Sequence, residues 1–164
     1  RDLLTSLGGQ IDCKVRDGKL SFCISVPSAR DVIVLVVDDN EDLVHFYRLC
    51  LAGTIYRIVA VGQGRRAFEM IEAKRPDIIV LDLMLPDIDG WELLAQFHEH
   101  PLSRSIPIVV CSVVREEELA FALGATVCIT KPVRRRQFTQ ALDKALSQVA
   151  EGELRARADN PAVY

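Results

Sequence analysis

Short apolar runs alternate with amphipathic helical stretches from residue 32 to residue 149, and this alternation constrains the fold more than any other feature of the chain. Val32 to Val37 is a continuous apolar run of mostly β-branched residues, as a strand buried on both faces requires. Glu41 to Ala52 carries apolar residues at helical spacing and stops at Gly53. The same alternation predicts four more strands, at 55–61, 78–81, 106–111 and 126–129, and four more helices, at 65–74, 91–99, 116–123 and 133–149.

Strands that alternate with helices predict an α/β fold with right-handed crossover connections. We therefore expect a five-stranded parallel sheet with helices on both faces. In a sheet of this kind, ligands bind at the carboxyl ends of the strands. The residues directly after each predicted strand are consequently the candidates for a functional site.

Carboxylates follow two of the predicted strands. Asp38 and Asp39 come directly after the first strand, and Asp82 follows the third. Three carboxylates at one sheet edge repel one another unless a cation lies among them, and carboxylate oxygens are ligands that suit Mg²⁺. Capping of the first helix by Asp39 or Asn40 would explain one of these residues. It would not explain an acidic pair together with a third carboxylate after another strand.

A hydroxyl and an ammonium group stand at the ends of the fourth and fifth predicted strands. Ser112 ends the fourth strand, and Lys131 comes directly after Thr130 at the end of the fifth. A lone lysine at a strand end is usually only solvated. Together with the acids, however, it suits in-line phosphoryl transfer to an aspartate, because the metal ion and the lysine offset the charge of the transferring group.

The segment from Val32 to about Val149 resembles a response-regulator receiver domain, a flavodoxin-like fold of two-component signal transduction. The matching stretches are Val36-Val37-Asp38-Asp39, Val80-Leu81-Asp82-Leu83-Met84-Leu85-Pro86-Asp87-Ile88-Asp89-Gly90, Cys111-Ser112 and Thr130-Lys131-Pro132. The resemblance implies that a histidine kinase or a histidine phosphotransfer protein phosphorylates Asp82.

The resemblance also implies roles for the other strand-end residues. Asp38, Asp39 and Asp82 would hold Mg²⁺ with help from the Met84 backbone carbonyl. Ser112 would sense the phosphoryl group, and Lys131 would pair with it. The peptide bond between Lys131 and Pro132 matches one that is commonly cis in this family, and Pro86 and Gly90 match the turn after the phosphoacceptor.

Two positions depart from the family pattern. Receivers usually carry an aromatic residue three positions before the lysine, and this position is Cys128 here. The residue after Ser112 is usually small, whereas Val113 stands here. We expect Cys128 to affect the readout of phosphorylation and Val113 to narrow access to Asp82. An alternative hypothesis is therefore a pseudo-receiver that acts as an interaction module without being phosphorylated.

Other functions have weaker support. Gly62-Gln63-Gly64-Arg65-Arg66-Ala67 mimics a dinucleotide-binding loop, but it follows the second strand and leaves the acids and the lysine unexplained. A phosphatase with an aspartate nucleophile usually carries a second aspartate two residues later. That position is Met84 here, so the sequence does not favour a hydrolase that acts on external substrates.

The histidines and the arginine cluster do not indicate a catalytic site. His45, His98 and His100 fall in or at the ends of predicted helices, which does not favour a catalytic triad. The cluster 134–136, three arginines at a helix start, predicts a solvated face or a docking surface for an acidic partner.

Residues 1–30 have a different pattern. Two alternating apolar runs flank Asp17-Gly18, a dipeptide typical of a hairpin turn. Pairing Arg16 with Lys19 puts the apolar residues on one face, with Val15 opposite Leu20, Cys13 opposite Phe22 and Ile11 opposite Ile24. A two-stranded ribbon is marginal alone, so we expect its apolar face to pack on the receiver or on a second copy of the chain.

Residues 1–30 resemble the last segment of a histidine-kinase ATPase domain. The resemblance lies in the stretch Leu3-Leu4-Thr5-Ser6-Leu7-Gly8-Gly9-Gln10-Ile11, in the hairpin and in the ending Ile24-Ser25-Val26-Pro27. The resemblance implies a kinase remnant with a short helix at 1–30, a receiver at 31–150 and a tail at 151–164, all from a hybrid histidine kinase. The ATP-binding residues of such a kinase lie upstream, so we expect no enzyme activity from this chain beyond self-dephosphorylation. The hairpin and the last helices are the candidate surfaces for a homodimer.

Composition bounds the partners and the compartment. The formal net charge of −3 gives no reason to expect a nucleic-acid partner, and no apolar run approaches the length of a membrane span. No signal segment follows Arg1, and the five cysteines lie mostly in apolar patterns without a C-x-x-C pair. We therefore expect a cytoplasmic segment with reduced cysteines, also if the parent protein is membrane-anchored.

Overall fold

The computed structural model describes the backbone of residues 10–16, 19–25 and 31–159 and the side chains of residues 31–149. The chain divides into two units, Arg1–Arg30 and Asp31–Tyr164. The predicted short helix before the hairpin, the Asp17-Gly18 turn, the connector at 27–30 and Asn160-Pro161 lie outside the described residues.

The first unit contains an antiparallel hairpin of β1 (Gln10–Arg16) and β2 (Lys19–Ser25). Its register is the one predicted from the sequence, with Val15 paired to Leu20, Cys13 to Phe22 and Ile11 to Ile24. Because side chains alternate across a strand, this register puts the apolar residues of both strands on one face.

The second unit alternates strands and helices in the predicted order. Its strands are β3 (Val32–Val37), β4 (Tyr56–Val61), β5 (Ile78–Leu81), β6 (Ile108–Ser112) and β7 (Val127–Thr130). Its helices are α1 (Glu41–Cys50), α2 (Ala67–Lys74), α3 (Gly90–Glu99), α4 (Glu117–Ala122) and α5 (Arg135–Asp159), with a short 3₁₀ helix at Gly64–Arg66 before α2.

All strand pairs of the second unit are parallel, in the order β4-β3-β5-β6-β7. This arrangement confirms the predicted five-stranded sheet of the flavodoxin-like type. β6 begins two residues later than predicted, at Ile108, because Pro107 has no N–H to donate to the sheet. The Pro107 carbonyl still accepts a hydrogen bond from the Ile79 N–H at 3.0 Å.

Two apolar cores cover the sheet, one on each face. Val34 and Val36 point to the core that α1 and α5 close, while Leu35 and Val37 point to the core of α2, α3 and α4. All four side chains are buried completely, which explains why the first strand of the receiver reads as an unbroken apolar run. The carboxyl edge of the sheet lies between these two cores.

Helix α5 continues to Asp159, beyond the end at residue 149 that the apolar pattern predicts. Good helix formers follow Gly152, and one glycine costs a helix only about 1 kcal/mol relative to alanine. No helix in the described part of the chain combines the length and the apolar character needed to cross a membrane.

Gly90, the first residue of α3, is required by a close backbone approach. A Cβ atom at this position would lie 2.4 Å from the Cα and the carbonyl oxygen of Leu83, and neither backbone atom can rotate away. We expect Gly90→Ala to lower the free energy of unfolding by about 3 kcal/mol. Urea unfolding followed by the fluorescence of Trp91, the only tryptophan, measures this change.

Gly62→Ala is the matched control for Gly90→Ala. Its Cβ would meet Asp39 Cα at 3.6 Å and the Asp38 carbonyl oxygen at 3.9 Å, which are ordinary contacts. We expect the free energy of unfolding to change by less than about 1 kcal/mol in this variant. Equal unfolding midpoints for the two variants would contradict the steric explanation.

Candidate functional site

The ends of β3 and β5 bring the predicted carboxylates together. The Asp38 N–H donates to the Val61 carbonyl at 3.2 Å, and the Asp82 N–H donates to the Val37 carbonyl at 2.9 Å, so both residues continue the sheet. Asp38 and Asp82 are buried, whereas Asp39 is exposed. One carboxylate oxygen from each of these three aspartates lies within 4.8 Å of the other two.

Lys131 joins two of these carboxylates. Its Nζ donates to Asp38 Oδ2 at 2.8 Å and to Asp82 Oδ2 at 2.6 Å. The Lys131 side chain is only 15% exposed, and those of Asp38 and Asp82 are 2% and 8% exposed. The peptide bond from Lys131 to Pro132 is cis, as the family resemblance implied.

Burial and ion pairing oppose each other at these groups. Burial raises the pKa of the Asp38 carboxyl, although hydrogen bonds from Lys131 and from the Asn40 N–H act in the other direction. For Lys131, burial favours the neutral amine, but hydrogen bonds and attraction to Asp38 and Asp82 prevail and raise the pKa of its ammonium group. The lysine therefore stays charged beside its two partners.

The donor set fits a divalent cation. The formal charges of the three aspartates and the lysine sum to −3 + 1 = −2. The carboxylates are hard oxygen donors, which Mg²⁺ prefers. An Asp38 oxygen also accepts the Asn40 N–H at 2.9 Å, and an Asp82 oxygen accepts the Met84 N–H at 3.0 Å, so both side chains are oriented.

Ser112 lies at the end of β6, next to the lysine strand. The Lys131 N–H donates to the Ser112 carbonyl at 3.0 Å, which ties β7 to β6 at the site. Ser112 is 1% exposed, and its hydroxyl accepts a long hydrogen bond of 3.4 Å from the Val114 N–H. A weakly held hydroxyl of this kind is able to rotate toward another acceptor.

The loop after Asp82 is held by a contact that sequence reasoning missed. Asp87 Oδ1 and Oδ2 accept the N–H groups of Gly64 and Arg65 at 3.0 Å each, and Arg65 Nε donates to the Asp87 carbonyl at 3.0 Å. The hydrogen bond from the Arg65 N–H and that from the Gly64 N–H lower the pKa of the Asp87 carboxyl. The sequence contains no local signal for this contact, because it joins two loops more than twenty residues apart.

The glycine-rich stretch after β4 has a packing role. A Cβ atom on Gly64 would lie 2.4 Å from Ile88 Cγ2 and 2.9 Å from side-chain atoms of Leu85 and Leu93. This close approach between two loops accounts for Gly64 without a dinucleotide. The glycine-rich stretch follows β4, which is an edge strand of the sheet.

The two departures from the family pattern differ in burial. Cys128 is half-buried, packs against the core of α2, α3 and α4, and lines a small cavity with Trp91 and Val114. Burial raises the pKa of its thiol to about 11. Val113 is 59% exposed and follows the buried Ser112 directly. Met84, two residues after Asp82, is also 59% exposed.

A second buried polar pair lies below the site on the α1–α5 face, and sequence reasoning also missed it. The Tyr47 hydroxyl and Cys111 Sγ are 3.0 Å apart, and the Tyr47 ring stacks on Phe138 of α5. Burial raises the pKa of the Cys111 thiol to about 11, which makes it an inert group in the core.

The remaining candidates do not form a catalytic site. His45, His98 and His100 are all exposed, which agrees with surface roles. In the cluster 134–136, Arg135 Nε donates to the Cys50 carbonyl at 3.1 Å and so satisfies the end of α1, while the neighbouring arginines are exposed.

Comparison with known proteins agrees with this geometry. A family model described as the response regulator receiver domain matches residues 34–143, more than half of the chain. The chain belongs to this family. The match covers the carboxylates, Ser112 and Lys131 of the receiver.

Curated relatives of the receiver include transcriptional regulators and a sensor kinase. It is 36% identical over 107 residues to the alkaline phosphatase synthesis transcriptional regulatory protein PhoP of Bacillus subtilis, covering 63% of this chain and 44% of that protein. It is 32% identical over 127 residues to the sensor histidine kinase TmoS of Ectopseudomonas mendocina, covering 77% of this chain and 12% of that protein. The chain thus spans less than half the length of these relatives.

Solved structures share the fold. The receiver domain of a signal transduction histidine kinase from Syntrophus aciditrophicus matches with a TM-score of 0.65 and 26% identity, over 72% of this chain and 92% of that one. The receiver is therefore a two-component signalling domain with the flavodoxin-like fold.

Proposed function

We propose that this receiver accepts a phosphoryl group on Asp82 from the phosphohistidine of a kinase or phosphotransfer protein. Asp38, Asp39, Asp82 and the Met84 carbonyl would hold the Mg²⁺ that this reaction requires. The observation that carries the proposal is the Lys131 ammonium group, which lies within hydrogen-bond distance of both Asp38 and Asp82. A buried cation shared by two carboxylates supplies the charge that a phosphorylated aspartate needs.

Each residue has a defined part in the transfer. A carboxylate oxygen of Asp82 forms the new bond to phosphorus while the bond from phosphorus to the donor imidazole nitrogen breaks, and its electron pair stays on that nitrogen. Lys131 keeps its hydrogen bond to Asp38 and offsets negative charge on the transferring group. The Ser112 hydroxyl donates to a phosphoryl oxygen. Mg²⁺ supplies further charge compensation when it is bound.

The context of the domain is part of the proposal. Similarity to the sensor kinase TmoS and the hairpin of the first unit support an origin in a hybrid histidine kinase. The chain itself would then be a cytoplasmic phosphoacceptor, with no nucleic-acid partner and no catalytic activity except self-dephosphorylation. The hairpin or the last helices would form any homodimer.

A pseudo-receiver remains the second candidate because of two side chains. Cys128 stands where an aromatic residue would report phosphorylation, and Val113 adds an apolar side chain beside Ser112. Neither removes a carboxylate or the lysine, so the phosphoacceptor proposal is the better supported one.

Incubation with Mg²⁺ and acetyl phosphate tests the proposal. We expect the intact mass to increase by one phosphoryl group, and we expect beryllium fluoride to form a stable adduct under the same conditions. Both products should disappear when EDTA removes Mg²⁺. A chain that binds Mg²⁺ but forms neither product would favour the pseudo-receiver.

A further inference from the structure

The loop between Asp82 and α3 is tethered at its middle by Asp87. Three hydrogen bonds of 3.0 Å join this residue to the 3₁₀ turn that follows β4, two to its carboxylate and one to its carbonyl. Among the described residues, these are the hydrogen bonds that link this loop to the loop after β4. The phosphoryl transfer proposed above does not use Asp87.

The ends of the same loop are fixed in other ways. The Met84 N–H donates to Asp82 Oδ1 at 3.0 Å, and the Asp89 side chain caps α3 by accepting the N–H groups of Trp91 and Glu92. The Met84 side chain is exposed and packs little, whereas the backbone of Leu83 before it lies against Gly90. The position of the Met84 carbonyl therefore depends on Asp82 and Leu83 on one side and on Asp87 on the other.

We infer that Asp87 is a positioning residue that holds the Met84 carbonyl ready to ligate Mg²⁺. The inference rests on the proposed function, because it assumes that this carbonyl is a ligand. Leu85 and Ile88 pack on Gly64, but apolar contacts are not directional. The two N–H groups that converge on the Asp87 carboxylate are directional and charge-assisted, so they determine where the loop lies.

The affinity for Mg²⁺ is sensitive to a displacement of the Met84 carbonyl. It demands nearly ideal octahedral geometry with short bonds, so a ligand that moves by a few tenths of an ångström binds less well. Groups that orient metal ligands from outside the coordination sphere typically contribute roughly 10- to 100-fold in metal affinity. A purely structural role for Asp87, holding the 3₁₀ turn, would instead change stability without changing Mg²⁺ affinity.

Calorimetric titration with Mg²⁺ separates the two roles. We expect Asp87→Ala to raise the Kd for Mg²⁺ roughly tenfold. Asp87→Asn should give a smaller increase, because its one carbonyl oxygen can still accept an N–H while its NH₂ group faces the other. The matched control is Glu69→Ala, which removes an exposed carboxylate that accepts Arg66 Nε at 3.5 Å close to the same turn. High ionic strength screens the charge that all three variants lose.

Phosphorylation by acetyl phosphate at increasing Mg²⁺ concentration supplies a second readout. A positioning role predicts that Asp87→Ala needs more Mg²⁺ for half-maximal rate and approaches the wild-type rate at saturation. Glu69→Ala should match wild type in both parameters. Circular dichroism checks that each variant is folded, and Asp87→Asn carries the test if Asp87→Ala does not fold.

The outcomes are distinguishable. Wild-type protein that binds no Mg²⁺ would overturn the proposed function itself. Wild-type protein that binds Mg²⁺, together with folded Asp87 variants whose Kd equals that of Glu69→Ala, would overturn the inference and leave the proposed function intact. A Kd for Mg²⁺ that is raised in the Asp87 variants but not in Glu69→Ala supports both the inference and the proposed function.

Discussion

Asp82→Asn is expected to lower the rate of phosphorylation by acetyl phosphate by roughly 10³-fold or more, to below detection. An amide oxygen is a poor nucleophile, and an amide cannot form the acyl phosphate. Its NH₂ group would also meet another donor, because one Asp82 oxygen accepts from Lys131 Nζ at 2.6 Å and the other accepts the Met84 N–H at 3.0 Å. Intact-mass measurement after incubation with Mg²⁺ and acetyl phosphate gives the result directly.

Asp89→Asn is the matched control for Asp82→Asn. Asp89 lies in the same loop and caps α3, and asparagine is an equally good cap. We expect this variant to be phosphorylated like wild type. A phosphoryl adduct that persists in Asp82→Asn would mean that another residue is the acceptor.

Lys131→Met is expected to lower the free energy of unfolding by about 3 kcal/mol at pH 7 without Mg²⁺. The substitution keeps an unbranched side chain that is one atom shorter, but it removes the cation shared by Asp38 and Asp82, whose side chains are 2% and 8% exposed. Two like charges then remain in a site that excludes water. Urea unfolding followed by Trp91 fluorescence measures the loss.

The loss caused by Lys131→Met should depend on pH and on Mg²⁺. The pKa of Asp38 is already raised by burial in the wild-type chain, so its ionised form opposes folding at neutral pH. Without Lys131 that pKa rises further. The stability deficit is therefore greatest at pH values where Asp38 is ionised in the folded chain, and it shrinks as the pH falls through the folded pKa, because the carboxyl takes up a proton.

Mg²⁺ should narrow the same deficit at pH 7, because a divalent cation replaces the missing charge. Arg66→Met, which removes an exposed cation, is the control and should change stability by less than about 1 kcal/mol. A Lys131→Met chain as stable as wild type at pH 7 without Mg²⁺ would show that the carboxylates tolerate each other without the lysine.

Much of the fold could be predicted from the sequence because the relevant signals are local. The apolar run from Val32 to Val37 reads as a doubly buried strand, and Asp17-Gly18 between alternating runs defines the hairpin register that the structure has. The strand-end residues were identifiable for the same reason, since parallel strands end at one edge. Their roles in phosphoryl transfer remain predictions.

Helix α5 marks the limit of local reasoning about boundaries. The apolar pattern predicted a last helix at 133–149, yet the helix continues past Gly152 to Asp159. The end of a helix depends on the summed propensities of many residues on both sides of a glycine, so one glycine decides little.

The sequence by itself determined which strands form, their alternation with helices, and which acids, hydroxyl and lysine stand at the strand ends. Only the tertiary structure decided that Lys131 donates to both Asp38 and Asp82, and that Asp87 ties the phosphoacceptor loop to Gly64 and Arg65. The physical reason is the distance along the chain between the residues that interact. Strand and helix patterns arise from neighbouring residues, whereas these hydrogen bonds join residues far apart in the chain, and only the packing of the whole domain fixes their distances.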